Sequence, residues 1–301
     1  MSSLTASNNA DIQRATLIGM SAYLLWGISP LYFQLVGFAS AAEIIMHRVI
    51  WAVILLGAIL AYAGKVNDVW AVLRDRKSLL VLVLTAGLIS INWWGFVFAV
   101  NNGQVLQASL GYYINPLMSV AVGVVVLREP LGPWRIAAIS LAALGVLVLI
   151  IAGGTLPWIS LLLAISFTAY GYLRKVVAVD GRVGLFWETL FVLPFAIGGL
   201  IWLETSGQGH FFTSLSSAIL LAAGGMVTII PLLFYIIAAR GLRLSTMGLL
   251  QFTAPSLQFL IGVLGGEVFT TAHLVTFILI WAGVGCFTWS QIRRDRQAQT
   301  E

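Results

Sequence analysis

Four ionisable side chains interrupt long apolar stretches of the sequence and are its first candidates for chemistry: Glu43, His47, Arg48 and Glu188. Ionisable groups inside a bilayer are expensive, and they mark ion pathways and proton relays. Glu43 and His47 are four residues apart and share a helix face, while Arg48 follows about 100° around that helix. We predict a coupling or gating role for all four. For Arg48, a structural role is the alternative, in which it snorkels outward or bonds a carboxylate or helix-end carbonyls to hold the two halves.

A second set of polar residues recurs in apolar segments at spacings of three and four residues, which place them on one helix face. In lipid, such a face must point to protein or water, because unpaired amides in hydrocarbon are costly. We therefore predict a hydrated substrate cavity. Aromatic residues nearby would stack on an amphipathic substrate or a cation, with lipid-facing positions as the alternative. The predicted substrate-binding residues are Asn92, Gln107, Asn115, Gln251, Gln258, Trp26, Trp93 and Tyr112.

The sequence carries no motif of an enzyme or a metal site. It has no HExxH, P-loop, nucleophile elbow or CxxC. The three histidines are scattered, and Cys286 is the single cysteine, which excludes an internal disulfide framework. We expect no catalytic residues, no metal and no cofactor. Without a nucleotide-binding motif, any transport would be driven by a gradient.

Long apolar helices must position these residues. The chain is 60% hydrophobic and 9% charged, whereas soluble domains are about 25% charged. A helix needs about 20 residues to cross the hydrocarbon core, and runs of this length exclude the shorter strands of a β-barrel. The predicted spans are 15–35, 43–63, 79–100, 104–127, 134–152, 157–173, 184–203, 216–239, 244–264 and 272–290.

The positive residues predict which ends of the spans face the cytoplasm. Fifteen of the sixteen Lys and Arg residues lie in the tails or in every second connection, and Arg48 is the exception. Because Lys and Arg resist translocation, ten spans with both termini in the cytoplasm follow. The positive charge is spread over six separate places, which argues against a nucleic-acid partner.

The two halves of the chain resemble each other. Glu43 near the start of the second span matches Glu188 near the start of the seventh, and the fourth and ninth spans share a Pro-to-Gly gap of seven residues. Five spans per half is an odd number, so the second half must enter the membrane inverted. Inverted repeats are the architecture of alternating-access transporters. We predict a cytoplasmic tail at 1–14, five-helix repeats at 15–152 and 156–290, and a second cytoplasmic tail at 291–301.

Several short motifs are more specific than these patterns. They are Tyr23-Leu24-Leu25-Trp26-Gly27, His47-Arg48, Ile91-Asn92-Trp93, Ala99-Val100-Asn101-Asn102-Gly103, Ala108-Ser109-Leu110-Gly111-Tyr112, Asn115-Pro116, Arg128-Glu129-Pro130, Leu156-Pro157-Trp158, Trp187-Glu188-Thr189 and Ala254-Pro255. With these motifs the chain, from about Thr16 to Trp289, resembles the RarD-type branch of the drug/metabolite transporter superfamily, whose repeat unit is the EamA domain. The resemblance implies a ten-helix carrier of the bacterial inner membrane, in a branch whose name is associated with chloramphenicol sensitivity. One departure is that Glu129-Pro130 is intact, while its counterpart reads Glu267-Val268.

Together these features predict a secondary transporter that moves small amphipathic metabolites or drugs outward, with a proton as the candidate coupling ion. The expected partners are a small-molecule substrate and membrane lipids, with a homodimer left open. An importer of the same fold is one alternative, because alternating access is reversible. An integral-membrane protein that does not transport is the other.

Overall fold

The computed structural model describes residues 2–127, 132–153, 156–242, 246–247 and 250–297. Helices dominate these residues, and no strand occurs among them, which confirms the all-α prediction. A short 3-10 turn, Val72–Arg74, follows the third helix. The helices are α1 (Ser2–Leu35), α2 (Ala41–Tyr62), α3 (Val66–Ala71), α4 (Arg76–Asn101), α5 (Val105–Leu127), α6 (Pro133–Gly153), α7 (Trp158–Val176), α8 (Gly181–Thr205), α9 (Leu215–Gly241), α10 (Thr253–Leu264) and α11 (Thr271–Gln297).

Six stretches of these helices are long and apolar enough to cross a membrane. Two further apolar helices, Ile136–Ala152 and Thr253–Leu264, are shorter. The chain is therefore an all-α membrane protein. The six stretches are Ile12–Leu35, Ala41–Tyr62, Arg76–Asn101, Gly181–Thr205, Leu215–Ala238 and Thr271–Trp289.

Helices α1 and α11 extend into the predicted tails at 1–14 and 291–301, and the ninth predicted span is interrupted. Gln251 and Phe252 form a turn, and α10 begins after them at Thr253. Pro255 consequently lies in the first turn of α10, where a missing N–H breaks no helical hydrogen bond. Gln251 and Gln258 are therefore not on one continuous helix face, contrary to their sequence spacing.

The chain divides into two compact units, and each draws on both halves of the sequence. Unit A comprises Met1–Ile28, Gly103–Thr168 and Phe234–Glu301. Unit B comprises Ser29–Asn102 and Ala169–Leu233. Helices α1, α7 and α9 each pass from one unit into the other.

Unit B is built around α2 and α8, which pack side by side and run antiparallel. Near the start of α2, Met46 lies so close to Gly199 that any side chain at Gly199 would collide with it. Near the other end of α2, Gly57 faces Phe186. Around this end of the helix pair, the Trp187 indole Nε1 donates to the carbonyl of Val69 at 2.9 Å.

Unit A contains two further antiparallel pairs. In the first pair, α5 with α10, Gly262 lies against Leu106 and the Ser109 hydroxyl donates to the Pro255 carbonyl at 2.8 Å. In the second pair, α6 with α11, the Thr276 hydroxyl donates to the Gly145 carbonyl at 2.9 Å. Small residues at these contacts let the helix backbones approach closely, as is typical of membrane helices.

Glycine ends α10 where the sequence lacks a second Glu-Pro pair. Gly266 has φ +82°, and the N–H of Glu267 donates to the Gly262 carbonyl at 3.0 Å, which is a Schellman ending. The Glu267 carboxylate then accepts from the backbone N–H groups of Val105 (2.5 Å) and Leu106 (2.8 Å) at the start of α5. The intact copy, Glu129-Pro130, lies outside the described residues.

Candidate functional site

In unit B, Arg48 on α2 is 8% exposed and lies among aromatic rings. Its guanidinium carbon is 4.1 Å from the centroid of the Trp93 ring and 5.8 Å from that of Phe33. Its Nε donates to the Thr228 hydroxyl on α9 at 2.5 Å. Indole is the ring that attracts a cation most strongly. The structure thus brings together two of the predicted site residues, Arg48 and Trp93.

Glu43 lies in the first turn of α2, where Ser40 caps the helix. Its Oε1 accepts from the backbone N–H of His210 at 2.7 Å, and its Oε2 is 2.8 Å from Nδ1 of the same residue. The carboxylate side chain is 1% exposed and the imidazole is 39% exposed. Both carboxylate oxygens of Glu43 therefore contact a single residue, His210, in the link between α8 and α9.

His47 faces the same link as Glu43, in agreement with their shared helix face. Its ring stacks on Phe211 with 4.7 Å between centroids. The His47 Nε2 atom is buried and has no hydrogen-bond partner within the described part of the chain. Two neighbouring residues of the link, His210 and Phe211, thus hold two predicted coupling residues.

Glu188 on α8 is fully buried among three donors. The Thr85 hydroxyl donates to its Oε1 at 2.7 Å, and the Tyr170 hydroxyl donates to its Oε2 at 3.2 Å. Nε of Arg174 is 3.7 Å from Oε1. Because these donors come from α4 and α7, Glu188 joins three helices of unit B.

The two buried carboxylates lie toward opposite ends of the antiparallel α2–α8 pair. Glu43 is in the first turn of α2, and Glu188 is one residue from Trp187, which packs beside Leu60 near the last turn of α2. Glu43 meets a histidine, whereas Glu188 meets an arginine and two hydroxyls. Two buried glutamates of the same helix pair therefore have two different environments.

In unit A, Gln258 on α10 is 2% exposed and contacts α1. Its Nε2 donates to the Trp26 carbonyl at 3.3 Å, while its Oε1 is buried without a hydrogen-bond partner among the described residues. The Trp26 ring lies 5.5 Å from Tyr23 and 5.9 Å from Tyr235, measured between centroids. An amide and an aromatic cluster thus meet where α1 packs on α10.

The remaining unit A candidates lie on α5. The Thr168 hydroxyl donates to Oδ1 of Asn115 at 2.7 Å. The Tyr112 ring meets Phe167 edge-on at 6.3 Å. Oε1 of Gln107 is buried and, in the described chain, unpaired. Polar groups of α5 therefore face α7 as well as α10.

The predicted residues are divided between the two units. Unit A holds Trp26, Gln107, Tyr112, Asn115, Gln251 and Gln258, and unit B holds Asn92, Trp93, Glu43, His47, Arg48 and Glu188. Asn92 is 1% exposed. The four ionisable candidates thus belong to the same unit, and most amides belong to the other.

Two cavities in unit B flank the α2–α8 pair. One is about 300 Å³ and includes Ser90 and Trp94 in its lining; the other is about 430 Å³ and includes His47, Trp51 and Phe212. Their walls are almost entirely apolar, which suits lipid chains better than a polar solute.

The first turn of α8 carries a cluster of charges outside the apolar stretches. Asp180 caps the helix, accepting from the N–H of Arg182 at 2.9 Å, and it lies 3.4 Å from Nζ of Lys65. Partial burial alone would raise the pKa of Asp180, but the hydrogen bonds and charges of Arg182, together with the Lys65 charge, lower it to about 2. The carboxylate is therefore ionised at neutral pH.

Sequence reasoning did not identify the partners of the ionisable candidates: Thr85, Tyr170, Arg174, His210, Phe211 and Thr228. Their roles depend on contacts between residues that are far apart in the sequence. The 103 positions between Thr85 and Glu188 are one example.

Known proteins resemble the chain over nearly its full length. The EamA-like transporter family matches residues 13–151. Protein RarD of Salmonella typhi is 40% identical over 287 residues, which cover 95% of this chain and 98% of that protein. An uncharacterized transporter of Vibrio cholerae is 40% identical over 291 residues, 96% of each chain.

More distant relatives give the same picture. A protein of Pseudomonas aeruginosa named chloramphenicol-sensitive protein RarD is 30% identical over 289 residues, covering 94% of this chain and 96% of that protein. A solved crystal structure matches 91% of this chain and 96% of its own with a TM-score of 0.57 and 20% identity. At that identity, the crystal structure supports the fold alone.

Proposed function

The chain belongs to the RarD-type branch of the drug/metabolite transporter superfamily, and on this premise we propose that it is a secondary active transporter working by alternating access. Its family is one of membrane transporters, not of enzymes. The substrates we propose are small amphipathic metabolites or drugs. We propose outward transport across the bacterial inner membrane, coupled to protons.

The observation that carries this proposal is the pairing of helices from the two halves of the chain. Three pairs, α2 with α8, α5 with α10 and α6 with α11, run antiparallel, and each joins a helix of the first half to its counterpart in the second. An inverted repeat relates its halves by a twofold axis in the membrane plane, so counterpart helices must run in opposite directions. The pairing therefore supports ten spans in a 5+5 arrangement.

The distribution of positive residues supports the orientation. With ten spans, the basic tails and every second connection lie in the cytoplasm, and both termini do so as well. The cluster of Lys65, Asp180 and Arg182 would then lie on the cytoplasmic side, whereas the link containing His210 would lie on the opposite side.

Buried polar groups offer hydrogen-bonding partners for the substrate and carboxylates for its coupling. Gln258 and Gln107 each carry a buried amide oxygen without a donor in the described structure, and a substrate N–H or O–H group would satisfy it. Aromatic rings of unit A, such as Trp26, would contact the apolar part of the substrate. Glu43 and Glu188 are the carboxylates proposed for coupling.

The first experiment identifies a substrate and then measures its flux. Metabolites that differ between cells lacking the protein and cells overproducing it would be tested in proteoliposomes, with chloramphenicol included because of the name of the Pseudomonas relative. We expect uptake or release that accelerates with an imposed pH gradient. Gln258→Leu should abolish flux while the protein remains folded, and Glu43→Gln should remove the effect of the gradient.

Each alternative has its own outcome. Net movement of the substrate opposite to the proposed outward direction, under a physiological pH gradient, would favour an importer. A folded protein that binds solutes but moves none of them across liposomes would refute transport. Substrate flux that does not depend on the pH gradient would refute proton coupling but would still agree with transport.

A further inference from the structure

The buried carboxylate of Glu43 is bonded through both oxygens to a single residue that is itself accessible. The backbone N–H of His210 holds Oε1, and the imidazole Nδ1 lies 2.8 Å from Oε2. The Glu43 side chain is 1% exposed, while that of His210 is 39% exposed. The imidazole therefore connects an enclosed carboxylate to the surface of unit B.

Other titratable or charged groups around this pair are few. On α2, His47 lies one turn from Glu43 and stacks on Phe211. On α8, the Glu204 carboxylate lies against Gly209. Arg48 is directed to Thr228 and Trp93. The charged residues of the neighbouring helices α1, α4 and α9 lie at their other ends: Asp11, Arg14, Arg76, Lys77 and Arg240.

The counterpart carboxylate has no comparable route. Glu188 is bonded to the hydroxyls of Thr85 and Tyr170 and lies beside Arg174. A guanidinium does not give up its proton in proteins, whereas an imidazole accepts a proton on one nitrogen while donating from the other. Of these two carboxylates, Glu43 is the one whose partner is an imidazole, a group that changes its protonation near neutral pH.

We propose that His210 is the proton-transfer residue that connects Glu43 to the aqueous phase. In the resting pair, Nδ1–H of His210 donates to the ionised Oε2 of Glu43. A proton from water binds the Nε2 lone pair of His210, the Nδ1–H bond breaks, and an O–H bond forms on Oε2.

The transfer takes up one proton from water at Nε2, moves the Nδ1 hydrogen of His210 to Oε2 of Glu43, and displaces no heavy atom. It leaves a neutral imidazole protonated on Nε2 and a neutral carboxylic acid that donates back to Nδ1. The backbone N–H of His210 still holds Oε1, so the pair stays aligned for the reverse step. This inference rests on the proposed function in taking the proton as the coupling ion, although the transfer itself requires no substrate.

Time-resolved infrared spectroscopy on the full chain in lipid nanodiscs tests this transfer. A rapid drop from about pH 8 to about pH 5 spans the range in which histidine side chains change charge. The carbonyl stretch of protonated carboxyl groups is then followed. We expect the pH drop to produce a carbonyl-stretch component in the unmodified protein that is absent from Glu43→Gln. Glu204→Gln is the matched control, because the Glu204 carboxyl lies at the same end of the α2–α8 pair as Glu43. This variant should leave the infrared component in place.

The His210 variants carry the decisive comparison. His210→Asn keeps an N–H donor near the position of Nδ1 but cannot relay a proton, so the component should form about tenfold more slowly or worse. Imidazole added to His210→Ala should restore its rate. An unchanged rate in His210→Asn would overturn the proposal, and so would a component that survives Glu43→Gln. Because this measurement uses no solute, its failure is distinguishable from a failure of flux.

Discussion

For single residues, the chemistry open to a buried ionisable side chain depends on its partner more than on its own residue type. Glu43 and Glu188 lie on the paired helices α2 and α8, and both are fully buried. One is held by the imidazole and backbone of His210, the other by Arg174 and two hydroxyls. The first arrangement contains the imidazole proposed for proton transfer, whereas the second places the carboxylate beside a guanidinium that stays charged. Two buried glutamates of one helix pair thus have different surroundings because their partners differ.

Glu188 gives a prediction at this scale. Glu188→Gln leaves the Arg174 guanidinium, itself 13% exposed, without its carboxylate. Breaking a buried ion pair by removing one member costs about 3–5 kcal/mol. We expect a clear fall in the unfolding temperature, measured by intrinsic fluorescence in detergent.

The double variant Glu188→Gln/Arg174→Gln is the control for that result. Removing both charges should recover much of the lost stability, because no uncompensated charge remains. A double variant less stable than Glu188→Gln alone would show that the pair does not determine the stability of this region.

At the scale of elements, glycines decide how closely the helices approach. A methyl group at Gly225 on α9 would clash with the backbone and Cβ of Trp51 on α2. Gly198 on α8 has open space around it, and the two positions otherwise share a helical backbone. Sequence composition cannot separate these two glycines, since both lie in long apolar runs.

The second prediction contrasts these two positions. Gly225→Ala should destabilise the protein by about 1–3 kcal/mol, because overpacking forces the helices apart. Gly198→Ala should be neutral or stabilising by up to about 1 kcal/mol, because alanine has the higher helix propensity. Thermal unfolding of the two variants under the same conditions measures the contrast, and equal destabilisation would contradict the assigned contact between α2 and α9.

At the scale of the whole molecule, the compact units do not follow the order of the chain. Each unit contains helices from both halves, paired antiparallel with their counterparts. An inverted repeat makes this arrangement natural, because the second copy of a helix presents the same packing face in the opposite direction. Small residues at the contacts, such as Gly145 and Gly262, allow the pairs to close.

Cysteine cross-linking tests the antiparallel pairing in native membranes. In a Cys286→Ser background, Met46→Cys with Gly199→Cys should form a cross-link with a short bismaleimide. Met46→Cys with Phe186→Cys should not, since Phe186 lies beside Gly57 near the other end of α2. The reverse pattern would mean parallel helices and would remove the support for an inverted repeat.

The helices follow from the amino-acid sequence alone, because apolar runs of this length have few other solutions in lipid. It also marked the ionisable residues that those helices bury, and most predicted helix ends agree with the structure to within a few residues. Three spans differ: α1 and α11 extend into the predicted tails, and the turn at Gln251 and Phe252 separates two amides that the spacing had placed on one face.

Only the tertiary structure decided which groups meet. His210 is 167 positions from Glu43, and Thr85 is 103 positions from Glu188. Helical periodicity is a local property that gives the face of each side chain, whereas its partner depends on which distant helix covers that face. The same physical limit explains why the sequence identified Glu43 as a candidate for coupling while its contact with His210 emerged only from the fold.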